Sequence, residues 1–103
     1  MRDLEQALAV ATDAALAAGA LLRAEFESPE GPRGHGEHAD ADTDAERLIA
    51  ERLLTAYPQD GFLGEETGLR AGAEAYTWVV DPNDGTQSYL QGHRGPAVAI
   101  ALL

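Results

Sequence analysis

The sequence predicts an α/β fold in which two N-terminal helices are followed by mainly antiparallel strands. Three observations carry that expectation. Apolar residues recur at steps of three and four over residues 3–27 and again over 43–56, the spacing of a helix with one buried face. Short β-branched and aromatic runs follow, Tyr76-Thr77-Trp78-Val79-Val80 above all. The last run, Ala97 to Leu103, reaches the final residue without a polar stop. It therefore reads as a strand that something further on would pair with and cover, and the chain as the N-terminal part of a larger architecture or a truncated copy of one.

In the first helix Leu4, Leu8, Ala11, Ala15, Ala18, Leu22 and Phe26 fall on one stripe, Asp3 is the expected N-cap, and the alanines supply helix propensity. Pro29, Gly31, Pro32, Gly34 and Gly36 break the pattern, so residues 28–41 read as a mobile loop. The second helix is expected from Thr43 to Ala56. Thr43-x-x-Glu46 matches a capping box, and Ala45, Leu48, Ile49, Leu53 and Ala56 form its apolar face. Pro58 and Gly61 end it. Phe62-Leu63-Gly64 suits a short strand, residues 67–74 a polar connection, and residues 76–80 a second strand. Asp81 to Thr86 then reads as a turn, and Gln87 to Gln91 as a short helical piece.

The chain has 103 residues, 45% hydrophobic and 24% charged, which suits one small globular domain. Its 18 acidic residues face 7 basic ones, all arginine, for a net charge of −11. That balance argues against binding nucleic acid phosphates or an anionic membrane. No cysteine is present, which removes disulfides, thiolate metal sites and cysteine nucleophiles. Met1-Arg2-Asp3-Leu4-Glu5 lacks the opening of a signal peptide, and no apolar run is read as approaching a membrane span, so the expected location is cytoplasmic.

Chemistry concentrates in a few carboxylates. Glu65 and Glu66 end one expected strand, Asp81 ends the next, and Asp84 follows three residues on. If the two strands are neighbours in one sheet, Glu65, Asp81 and Asp84 emerge together, at strand ends where open sheets bind ligands. Two carboxylates about 4 Å apart repel by about 4 kcal/mol at an effective dielectric near 20, so such a cluster calls for protons or a cation. Oxygen donors without cysteine or a nearby histidine select Mg²⁺, Mn²⁺ or Ca²⁺ over zinc. Gly85 and Thr86, behind Asp84, would present free N–H groups to a phosphate. Metal-assisted phosphoryl hydrolysis needs a cation and a phosphate seat side by side. The competing reading makes the glutamates solvated strand ends and Asp-Pro and Asp-Gly ordinary turn formers. Asp40, Asp42, Asp44 and Glu51 have the spacing of a calcium loop, but Ala45 stands where that loop needs glycine, and an acidic first helical turn accounts for them. His35, His38 and His93 show no ligand spacing to one another, and they and Arg94 read as loop surface.

Asp42-x-x-x-Glu46, Gly64-Glu65-Glu66 and Trp78-Val79-Val80-Asp81-Pro82-Asn83-Asp84-Gly85-Thr86, in this order and spacing, resemble the inositol monophosphatase family. Tyr57-Pro58 and Val98-x-Ile100-x-Leu102 fit as well, and the resemblance covers residues 3–103. It implies a layered sugar-phosphatase-like fold, incomplete here with the family's C-terminal half absent, and a Mg²⁺-dependent, lithium-sensitive phosphomonoesterase, often dimeric, whose activity is expected of the full-length protein. Its substrate would be a small phosphomonoester such as inositol monophosphate. By that resemblance Glu65, Asp81 and Asp84 are metal ligands, Asn83 adds its backbone carbonyl, and Asp84, Gly85 and Thr86 bind the phosphate. Asp42 and Thr86 form the pair that deprotonates the attacking water, and Glu65 orients that water. His38-Ala39 stand where the family has Val-Thr, and the family's loop lysine has no counterpart. The same motifs admit a histidinol-phosphate phosphatase or a 3′(2′),5′-bisphosphate nucleotidase. A non-catalytic module that binds a divalent cation is the alternative outside the enzymes.

Overall fold

Helix α1 (Leu4–Phe26) starts where the sequence places it in the computed structural model, which describes residues 2–27, 34–35, 38–73, 76–84 and 97–103. Asp3 is extended, and its carboxylate accepts from the backbone N–H of Glu5 at 3.0 Å and Gln6 at 3.2 Å, satisfying two of the donors a helix start leaves open. The buried face is rotated from the expected stripe. Ala7, Ala14, Ala18 and Leu22 are buried, Ala11 and Ala15 half-buried, whereas Leu4 and Leu8 are 62% and 68% exposed. Small residues on the inner side let the second helix approach closely, and a 3.6-residue period alone does not say which of two adjoining stripes does so. Residues Leu4–Glu25, whose most apolar 18-residue window has a mean hydropathy of 1.5, are long and apolar enough to cross a membrane by length and composition, contrary to the reading of no such run. Alanines packed inward account for part of that apolar character.

Strands β1 (Gly34–His35) and β2 (His38–Ala39) pair antiparallel, and α2 (Asp40–Ala56) follows directly. The loop expected over 28–41 thus contains strand residues, and its last two positions belong to the helix. Because α2 begins three residues before Thr43, the Thr43–Glu46 capping box does not form; the Glu46 carboxylate is used elsewhere. The calcium-loop spacing is likewise helical throughout. Ala45, Ile49 and Leu53 are buried as expected and Leu48 half-buried, but Ala56 is exposed, and Ala41, Asp42 and Glu46 join the buried face. The helices pack antiparallel, since Asp13 of α1 meets Arg52 of α2 at 2.6 Å and Arg2 meets Asp60.

Four strands form one sheet in the order β4-β3-β5-β6 among the described residues: β3 (Gly61–Gly64), β4 (Gly68–Arg70), β5 (Thr77–Asp84) and β6 (Ala97–Leu102). β3 pairs antiparallel with β4 and parallel with β5, and β5 pairs antiparallel with β6. β4 lies in the stretch read as a plain connection. Three residues separate it from β3, and Gly68 takes φ +82°, the left-handed conformation such a hairpin asks of a glycine.

The turn expected from Asp81 is strand as far as Asp84. From Asp81↔Ala99 to Asp84↔Ala97 the pairing advances three residues on β5 for two on β6, so the strand bulges at Pro82-Asn83. A proline that has no N–H to donate is tolerated there. The remainder of that turn, Gly85-Thr86, and the piece 87–91 lie outside the described residues.

Register sorts the sheet into two faces. Phe62, Trp78 and Leu102 align across three strands on the helix side, followed by Gly64, Val80 and Ile100. Leu69, Leu63, Val79 and Ala101 align on the other side.

Asp60, just before β3, is fully buried and fully partnered. Its carboxylate accepts two hydrogen bonds from the Arg2 guanidinium, at 2.5 and 2.7 Å, and one from the Trp78 indole N–H at 2.9 Å. The guanidinium is also held between the rings of Tyr57 and Tyr76, 4.2 and 4.1 Å from their centroids. The hydrogen bond to Asp60 raises the pKa of Arg2 above its ordinary value. This clasp closes the end of the fold where α1, β3 and β5 begin.

Candidate functional site

At the opposite end the acidic residues gather, and the chain path explains why. α2 runs down to Tyr57, the chain turns, and β3 runs back up, which brings the first turns of α2 beside the last residue of β3. Parallel pairing places Gly64 of β3 opposite Val80 of β5. The next residues, Glu65 and Asp81, therefore follow at the same level of the sheet, Glu65 opening a turn and Asp81 continuing β5 opposite Ala99. Glu65 is exposed at the start of the turn over 65–67, and Asp81 is half-buried.

Asp42 and Glu46 stand four residues apart on the buried face of α2, one helical turn of about 5.4 Å. Both Glu46 carboxylate oxygens accept from the backbone N–H of Glu66 at 3.1 Å, and Oε2 accepts from that of Thr67 as well. The carboxylate is fully buried. It fills the space above Gly64: a Cβ there would stand 2.5 Å from Oε2 and 2.6 Å from Oε1, closer than any real contact. Glycine is required at residue 64 because the carboxylate occupies its side-chain position.

The structure thus brings Glu65, Asp81 and the buried Asp42 to one end of the molecule. Asn83 and Asp84 follow in β5 by their backbone, past the bulge, while their side chains lie outside the described residues, as do Gly85, Thr86, His93 and Arg94 entirely. Among the described residues no three histidine or acidic side chains are grouped closely enough to hold a metal ion. Asp42, which periodicity alone assigns to an acidic first turn, is buried instead. Sequence reasoning missed what Glu46 does. Its burial among Ala45 and Ile49, an acid on an apolar stripe, was the available signal.

The sequence pattern of the inositol monophosphatase family matches residues 3–103. Inositol monophosphatase 1 of Solanum lycopersicum is 35% identical over 107 residues, covering 97% of this chain and 39% of that protein. The Nus factor SuhB of Xylella fastidiosa is 48% identical over 65 residues, covering 63% of this chain and 23% of its own length. Among solved structures, the inositol monophosphatase of Anabaena (Nostoc) superposes with a TM-score of 0.81 at 33% identity, over 99% of this chain and 36% of that one. The chain therefore spans well under half the length of the relatives it matches. With the match running from the N-cap of α1 to the end of β6, and the two helices and mixed sheet shared with those structures, the chain belongs to the inositol monophosphatase family.

Proposed function

We propose that the full-length protein is a phosphoric monoester hydrolase that uses Mg²⁺ to hydrolyse a small phosphomonoester, inositol monophosphate in the first instance, in the cytoplasm. The observation that carries this reading is the in-register parallel pairing of β3 and β5 as far as Gly64 and Val80, after which Glu65 and Asp81 are the next residues in sequence. Family membership supports it. The donor chemistry fits the ion: carboxylate oxygens, a backbone carbonyl at Asn83, and no cysteine thiolate anywhere in the chain. Glu65, Asp81, Asp84 and the Asn83 carbonyl would hold Mg²⁺, which when bound supplies positive charge toward the phosphoryl oxygens and makes water more acidic.

Around it the chain's own residues divide the work. Gly85 and Thr86 hold the phosphate through their N–H groups, together with Asp84. Asp42, buried at the start of α2, takes the water's proton by way of the Thr86 hydroxyl, and Glu65 orients that water. The water oxygen bonds to phosphorus as the phosphorus–oxygen bond to the leaving group breaks, and the departing alkoxide takes up a proton from solvent while Asp42 returns its own to solvent, releasing phosphate and the alcohol.

Phosphate release by the full-length protein is measured on inositol monophosphate, histidinol phosphate and a 3′(2′),5′-bisphosphate nucleotide, with Mg²⁺ and with EDTA. Turnover on the first that needs Mg²⁺ and falls at least a hundredfold in Asp84→Asn and Glu65→Gln is expected. Turnover unaffected by EDTA, or by both substitutions, overturns the assignment.

A further inference from the structure

We propose that Glu46 is a positioning residue for the cation site: its buried carboxylate anchors the turn over 65–67 and thereby holds Glu65 in place. The inference rests on the reading of Glu65 as a metal donor. Three features support it. First, the contacts are specific to the turn, because the acceptor oxygens take the two N–H groups that directly follow Glu65 in the chain. A three-residue turn with two of its amides pinned leaves Glu65 little backbone freedom. Second, the carboxylate is fully buried, where a charge costs free energy unless hydrogen bonded, so the turn and the acid hold each other. Third, Gly64 has no side chain in the volume Glu46 occupies, which couples the last residue of β3 to the same contact. Asp42 precedes Glu46 by one turn on the same buried face, so anchoring α2 to the turn also fixes the distance from Asp42 to Glu65.

A glutamate that only fastened α2 to β3 would affect stability and nothing else. One that positions a ligand affects ion affinity first, and residues behind metal ligands typically change affinity by about 10–100-fold. Mg²⁺ binding to the full-length protein, without substrate, is therefore measured by calorimetry for the parent, Glu46→Gln, Gly64→Ala and Glu65→Gln, at a temperature where circular dichroism shows each folded. Glu46→Gln keeps the shape and one acceptor oxygen; Gly64→Ala keeps the charge but displaces it.

The expected result is a loss of about tenfold in Mg²⁺ affinity in both Glu46→Gln and Gly64→Ala. Saturating Mg²⁺ restores kcat to within twofold of the parent, a recovery that general structural damage would not permit. Affinity within twofold of the parent in Glu46→Gln, while Glu65→Gln binds weakly, overturns the positioning role and leaves the metal assignment standing. Weakened binding in Glu46→Gln with parent affinity in Gly64→Ala makes the effect one of charge and also overturns it. Parent affinity in Glu65→Gln overturns the donor reading itself. Should Glu46→Gln fail to fold, Gly64→Ala alone decides, tenfold weaker binding supporting the proposal and parent affinity refuting it.

Discussion

Asp60 and Glu46 are both fully buried acids, and the chain treats them differently. Asp60 is neutralised by a cation, Arg2, with the Trp78 indole as a third donor, whereas the described partners of Glu46 are backbone amides alone. Removing Arg2 would leave an uncompensated buried charge, and Arg2→Ala is expected to cost about 3–5 kcal/mol in urea unfolding of the full-length protein. Arg2→Lys should recover only part of this, since an ammonium cannot make the paired contact or stack between two tyrosines. The sign of the pH dependence follows from the raised pKa of Arg2: its contribution is complete at every pH below the ordinary arginine value and is lost only in stronger alkali. The cost of Arg2→Ala should therefore be the same at pH 6 and pH 9. The exposed Asp13–Arg52 pair is a contrast, worth about 0–1 kcal/mol.

At the level of elements, α1 and α2 meet through alanine. Ala18→Leu puts three extra carbons into a position with no exposed surface and is expected to destabilise by about 1–3 kcal/mol, while Leu8→Gln on the exposed side should stay within about 0.5 kcal/mol, both read by thermal melting. The sequence had these helices almost in full because long periodic segments with a cap are strong signals; Asp3 and the bounds of α1 came out as expected. Short elements were harder. β4 is Gly-Leu-Arg, three residues without alternation, and exists because β3 offers an edge to pair with. Asp81-Pro82-Asn83-Asp84 reads as a turn by composition, yet β6 pairs with it around a bulge. That Glu65 and Asp81 follow paired residues of neighbouring strands was legible, since both come directly after apolar runs. Glu46 was not, because Thr43 offered it a local partner and the true one lies 20 residues away.

Over the whole molecule, the sheet is covered on one side only by described residues. Leu69, 71% exposed, and Leu63, 42% exposed, line up with Val79 and Ala101 across all four strands. β6 is also an edge in this sheet. Apolar rows and open edges of this kind favour association. The 103-residue chain, prepared alone, is expected to elute as dimers or larger species in light-scattering chromatography, with Leu69→Lys raising the monomer fraction. A monomer at all concentrations would contradict this.

The Arg2–Asp60–Trp78 clasp also sets an order of events during synthesis. The ribosome delivers the arginine first, the aspartate 58 residues later and the indole 18 residues after that. Until then the helical hairpin can form but cannot be latched, and the growing polypeptide carries a cation whose counter-charge has not yet been made. Translation pauses before the indole has emerged from the ribosome would prolong that unlatched interval, and later pauses would not.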